Sequence, residues 1–154
     1  MDESYRIRPA RPADSAALSE IERSSFGDPW SPEGFRQALA GPGSFGLVAD
    51  RGGLPLGYLF GRQVADEGEI LNLAVAPRYR RGGVGGALLQ AGLAWFLARK
   101  VREVFLEVRE SNQAAQRLYL TNGFRAVGLR AAYYRNPPED ALVLRREVQA
   151  SEGK

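Results

Sequence analysis

The chain has 154 residues, 21 basic against 18 acidic side chains, a net charge of +3, and neither histidine nor cysteine. That length suits one domain with a sizeable core; the missing residue types exclude a disulfide framework, a thiolate nucleophile and an imidazole base, so acid–base work falls to Glu, Asp, Tyr, Lys or water. The charge is too mild to argue for nucleic acid, no apolar run nears the roughly 18 residues of a membrane span, and the N-terminus lacks an apolar signal segment; the expectation is a cytoplasmic protein with no metal, membrane or direct nucleic-acid partner.

In chain order, residues 4–8 read as a short strand. Asp14 stands as the N-cap of a helix running to residue 24, with Ala17, Leu18 and Ile21 on one face. Ser31 caps a second helix with Pro32 in its first turn, and residues 41–43 stop it. Residues 45–50 and 56–64 form two strands joined at Arg51-Gly52-Gly53, and residues 69–76 form a third that Pro77 ends. A long helix spans residues 84–100 and an apolar strand residues 103–109. Ser111-Asn112 caps a helix to about residue 121, where Asn122-Gly123 supplies a left-handed stop, and residues 124–134 and 141–148 close the chain as strands. The order predicts a mixed α/β sheet: an early meander, one parallel pair made by the strand–helix–strand unit, and helices on both faces. Residues 1–148 read as one domain and residues 149–154 as a disordered tail.

The most informative stretch is Arg80-Arg81-Gly82-Gly83-Val84-Gly85-Gly86, between the third strand and the long helix. Glycine costs about 1 kcal/mol against alanine inside a helix, so four glycines at a helix start need an offsetting gain. Glycine lets a ligand approach bare N–H groups at the positive end of the helix dipole, which suits a phosphate-bearing ligand. A flexible surface turn is the plain alternative. The stretch lacks the Gly-Lys-Ser/Thr ending of a P-loop and the third glycine of the dinucleotide fingerprint.

The run Leu71-Asn72-Leu73-Ala74-Val75-Ala76-Pro77-Arg78-Tyr79-Arg80-Arg81-Gly82-Gly83-Val84-Gly85 resembles the acetyl-CoA motif of the GNAT superfamily of N-acetyltransferases, whose core Arg/Gln-x-x-Gly-x-Gly/Ala is met by Arg80, Gly83 and Gly85. A second block, residues 105–112 with Ala114-Ala115, Leu118-Tyr119 and Asn122-Gly123-Phe124, is similar too, as are Tyr133-Tyr134 with Glu139-Asp140-Ala141, and Phe26 with Pro29-Trp30-Ser31. Together they resemble the RimI type, bacterial enzymes that acetylate the N-terminal alanine of a small-subunit ribosomal protein. One position departs: Gly82 stands where relatives carry Arg or Gln, so a side chain near the phosphates is missing while the backbone cradle remains.

The resemblance implies a single-domain GNAT-like fold, with a mostly antiparallel central sheet and a splayed parallel strand pair that admits acetyl-CoA. Leu73, Ala74 and Val75 would pair with the pantetheine arm, the Val75 N–H facing the thioester oxygen; Arg80, Arg81, Gly82, Gly83, Val84, Gly85 and Gly86 would hold the pyrophosphate; Asn112 would bond the arm, unless it caps the helix. Glu107 would be the proton acceptor and Tyr119 the donor to the departing thiolate, itself beside the cofactor. Trp30, Tyr133, Tyr134 and Glu139 would border the acceptor groove, with Asp66, Glu67, Glu69 and Asp140 as further acidic walls. An α-amine with a pKa near 8 is partly protonated at neutral pH and needs such a base.

The implied partner is a protein or peptide N-terminus, that of a ribosomal protein, and the implied state a monomer or weak dimer. Two alternatives stay open: acetylation of a small amine or lysine side chain, and a catalytically idle acyl-CoA-binding module. A basic nucleic-acid binder rests on arginine content alone.

Overall fold

The structure, a computed structural model, describes residues 4–148. The tail expected at residues 149–154 lies outside the described residues. Strands β1 (Arg6–Pro9), β2 (Ser44–Arg51), β3 (Leu54–Val64), β4 (Glu67–Val75), β5 (Glu103–Arg109), β6 (Arg125–Tyr134) and β7 (Glu139–Glu147) make one sheet in the order β1-β2-β3-β4-β5-β7-β6. Every neighbour pairs antiparallel except β4 with β5. The helices are α1 (Ser15–Arg23), α2 (Pro32–Ala40), α3 (Val84–Ala98) and α4 (Gln113–Thr121). Element order and the parallel crossover through α3 follow the sequence-based expectation.

Side chains one residue apart on a strand point to opposite faces of a sheet. Val48, Tyr58, Phe60 and Ala74 accordingly pack with Leu18 and Ile21 of α1 and Phe35 of α2. Their chain neighbours Ala49, Leu59 and Val75 pack with Leu88, Leu89, Leu93 and Phe96 of α3 and with Tyr119 of α4. One helix pair therefore covers each face.

β4 and β5 are aligned over only three residue pairs, Glu67–Glu103 to Glu69–Phe105. Beyond them β4 stays with β3 and β5 with β7. The divergence has a local cause. The β3–β4 register runs from Gly61–Ile70 to Phe60–Asn72, leaving Leu71 unopposed. Such a bulge bends the strand that carries it and increases its twist. It falls directly after the last β4–β5 pair, so a gap opens in mid-sheet.

One capping assignment changes and another narrows to a single residue. The Asp14 side chain does not cap α1; it accepts the Arg11 N–H at 2.7 Å and takes a two-pronged contact from Arg8 at 2.9 and 3.0 Å, fixing the turn before the helix. At α4 the cap is Asn112, whose Oδ1 accepts the Ala115 N–H at 3.1 Å, and Ser111 takes no such role. Ser31 caps α2 as expected, accepting from Gly34 N–H at 3.0 Å.

Candidate active site

The gap between the diverging strands is a cavity of about 390 Å³. Residues 70–73 of β4 form one wall and residues 106–109 of β5 the other; Asn112, Ala115 and Tyr119 close it from α4, and the loop after α1 and the β6–β7 hairpin close the far side. Leu106 and Val108 belong to the α3–α4 core. By alternation, Glu107 and Arg109 project toward α1 and α2, as does Asn72. Glu107 and Tyr119 thus reach the cavity from opposite faces of the sheet.

The exposed edge of β4 is main chain. Ala76 N–H donates to Leu56 C=O at 2.8 Å, so the Leu56–Ala76 pair is a hydrogen-bonded one. Pairs alternate along an antiparallel ladder, which turns the N–H and C=O of Leu73 and Val75 away from β3, into the gap. The Val75 carbonyl is capped there by Arg80 Nε at 2.9 Å.

The glycine loop curls. Arg81 has φ +68° and Gly83, the N-cap of α3, φ +85°. The first helical bond is Ala87 N–H to Gly83 C=O at 3.0 Å, and among the described residues the amides of residues 81–86 make no main-chain hydrogen bond within 3.5 Å. A Cβ placed on Gly83 or Gly86 would meet no protein atom within 4 Å, whereas one on Gly85 would touch Leu118 and Val75. Alternating left- and right-handed residues at a helix start aim N–H groups at one point, an anion-binding nest. The loop thus has the donors, the clearance and the dipole that a pyrophosphate needs. Arg80 Nη2 also donates to Ser25 Oγ at 3.0 Å, which ties part of its guanidinium to the loop after α1. Arg81 is exposed and forms no ion pair among the described residues.

Glu107 is 16% exposed and its Oε2 pairs with Arg130 Nη1 at 3.0 Å. Tyr119 is 6% exposed; burial, then the neighbouring Tyr134, pushes its phenol well above the usual range. Tyr134 also lines the cavity, stacked under the Arg109 guanidinium at 4.4 Å, and burial, aided by Tyr133 and Glu107, pushes its phenol up to about 12. Asn112 and Trp30 line the cavity; the Asn112 Nδ2 keeps no partner among the described residues. Tyr133 and Glu139 stand outside it. Tyr133 is exposed under Arg130. Glu139 is held by the Ser111 N–H at 2.5 Å and by Arg109 at 3.1 Å, and those donors hold its carboxyl below the usual range.

A model of the acetyltransferase (GNAT) family matches residues 15–124. The chain belongs to the GNAT family. It is 38% identical over 141 residues to the N-alpha-acetyltransferase RimI of Mycobacterium tuberculosis, covering 88% of this chain and 87% of that one. It is 33% identical over 133 residues to the ribosomal protein bS18-alanine N-acetyltransferase of Escherichia coli K12, covering 85% and 89%. A crystal structure of the ribosomal-protein-alanine N-acetyltransferase from Escherichia coli superposes with a TM-score of 0.88 at 30% identity, covering 98% of this chain and 99% of that one.

This GNAT site holds Glu107, as the sequence suggested, and two further acids that the sequence reading did not single out, Glu22 and Asp28. Asp66, Glu67, Glu69, Glu139 and Asp140 are absent from the cavity wall; its carboxylates are Glu22, Asp28 and Glu107. Glu22, 2% exposed on α1, accepts from the Tyr58 hydroxyl, from Asn72 Nδ2 at 2.9 Å and from Trp30 N–H at 3.0 Å. Burial pushes its carboxyl up, while the three donors oppose the shift. The signal was present: Glu22 lies four residues after Leu18 and one after Ile21, on the apolar face of α1. The loop after α1 also meets the β6–β7 hairpin over the cavity. Asn136 Nδ2 donates to Asp28 Oδ1 at 2.6 Å, and Gly27 sits so close to Asn136 C=O that a Cβ would lie 1.7 Å from it.

Proposed function

We propose that this protein transfers the acetyl group of acetyl-CoA to the N-terminal amine of a protein, an N-terminal alanine of a ribosomal protein being the first candidate. The observation that carries the reading is the joining of a curled amide cradle to a split sheet, with a carboxylate and a tyrosine entering the split from opposite faces of the sheet. The names of the relatives supply the acceptor.

In this reading residues 81–86 grip the pyrophosphate and the peptide edges of Leu73 to Val75 pair with the pantetheine arm, helped by Asn112 Nδ2. The Val75 N–H faces the thioester oxygen, where one donor to developing charge contributes about 3 kcal/mol. Glu107 takes the proton of the α-ammonium, directly or through a water. The freed amine attacks the carbonyl carbon, the carbon–sulfur bond breaks, Tyr119 protonates the departing sulfur, and the second proton shed by the nitrogen returns the phenolate to its neutral form. Burial keeps the Tyr119 proton in place until that moment. Trp30 and Tyr134 border the acceptor, and Glu139 acts on it indirectly by fixing Arg109 over Tyr134.

The test is intact-mass measurement of N-terminal peptides, polyamines and aminoglycosides after incubation with acetyl-CoA and the protein. A gain of one acetyl group on peptides beginning with alanine, and not on the small amines, supports the reading.

A further inference from the structure

The network around Glu22 has a consequence for the acceptor. A side-chain amide has a donor end and an acceptor end, and an ionised carboxylate can only accept. Asn72 lies on the β4 wall of the cavity, just past the bulge at Leu71. Glu22 takes its Nδ2 at 2.9 Å, so the amide cannot turn around without setting two acceptors against each other. Asn72 Oδ1 has no partner among the described residues. The lock is itself held in place: the other Glu22 oxygen takes the Trp30 N–H at 3.0 Å, and Ser19 Oγ donates to the Trp30 carbonyl at 3.1 Å, so both main-chain groups of Trp30 are tied to α1. A buried carboxylate with no cation against it is costly, and a purely structural contact between α1 and β4 could be made with apolar side chains.

We propose that Asn72 positions the acceptor, its Oδ1 receiving an N–H of the attacking amine, and that Glu22 is the positioning residue that fixes this polarity. The inference rests on the acetyltransferase reading above. With one amine N–H held at Asn72, the nitrogen turns about that hydrogen bond after losing a proton to Glu107, which brings its lone pair round to the carbonyl carbon between the strands.

The test is steady-state kinetics with acetyl-CoA and a peptide acceptor, together with CoA affinity by calorimetry. Asn72→Ala should lower kcat/KM for the peptide roughly tenfold or more, the scale of a lost transition-state hydrogen bond, with CoA affinity unchanged. Asn72→Asp and Glu22→Gln should each fall similarly, one by opposing two carboxylates and the other by freeing the amide to turn. The double variant Glu22→Gln/Asn72→Asp reverses donor and acceptor but again leaves an oxygen toward the cavity, and should recover to within about threefold of the unaltered protein. A structural role alone predicts additive losses in the double variant. Unchanged kcat/KM in Asn72→Ala, or an additive double variant, overturns this inference while leaving the acetyltransferase reading intact. No turnover by the unaltered protein on any amine overturns both.

Discussion

Arg130 reaches from β6 across β7 to Glu107 on β5, Nη1 to Oε2 at 3.0 Å. Glu107 and Val143 are partners in one ladder, and Val143 and Gly128 in the next, so the sheet itself sets this reach. The arginine side chain is half exposed, while the glutamate is largely buried. Glu107→Gln should therefore lower kcat by on the order of a hundredfold, as loss of a general base does, with CoA binding retained. Arg130→Ala should cost several-fold only, and the double variant should match Glu107→Gln alone, because the arginine acts through the carboxylate. Stopped-time assays on the three variants check this.

Tyr119 is the expected proton donor, and its phenol lies above the usual range because it is buried. Tyr119→Phe should cut turnover by roughly a hundredfold without weakening CoA binding. A raised phenol stays protonated as the solution becomes alkaline, so kcat of the unaltered protein should show no loss from this group up to about pH 10, the ordinary tyrosine value. A rate–pH profile that falls with an apparent pKa well below that would contradict the assignment.

The same phenols govern alkaline stability. Tyr58, Tyr119 and Tyr134 are all raised in the folded protein, chiefly by burial, Tyr134 to about 12. In the unfolded chain they titrate near 10. Their contribution is therefore fully present below about pH 10 and is lost as pH rises from there through the folded values, since only the unfolded state gains by releasing protons. Tm measured from pH 8 to 11 should hold and then drop at the top of the range.

Much of this architecture was legible in the chain, and the reasons are local. Gly82 to Gly86 before an apolar helix, and Asn122-Gly123 after another, are backbone constraints that one sequence displays. Ser31 with Pro32 declared α2 in the same way. What the chain concealed depends on distant partners. The bulge at Leu71 exists only relative to Gly61 and Phe60 on β3. The bonds from Arg80 to Ser25 and to the Val75 carbonyl likewise depend on partners the chain brings together only in the fold. Acidic residues near Tyr133 and Tyr134 suggested a groove wall, yet the wall is built from Glu22, Asp28 and Glu107 because the split sheet faces α1.

The glycine cradle yields two substitutions of opposite sign. Gly86 lies in the first turn of α3 with nothing within 4 Å of a notional Cβ. Gly86→Ala should raise stability by up to about 1 kcal/mol, the helix-propensity difference, yet weaken CoA binding by intruding on the cradle. Gly83 is left-handed at φ +85°, so Gly83→Ala should cost about 1–2 kcal/mol and weaken binding as well. Thermal melts with and without CoA separate the two.

Gly27 and Asn136 seal the acceptor side, with no room for a methyl group between them. Gly27→Ala should push the α1 loop from the hairpin and raise KM for a peptide acceptor, with KM for acetyl-CoA unchanged.

The most direct test uses a synthetic peptide that begins with alanine and carries one internal lysine. After incubation with the protein and acetyl-CoA, fragment-ion mass spectrometry locates the modification. The account predicts a single acetyl group on the alanine α-amine and none on the lysine; an acetyl group on the lysine alone would contradict it.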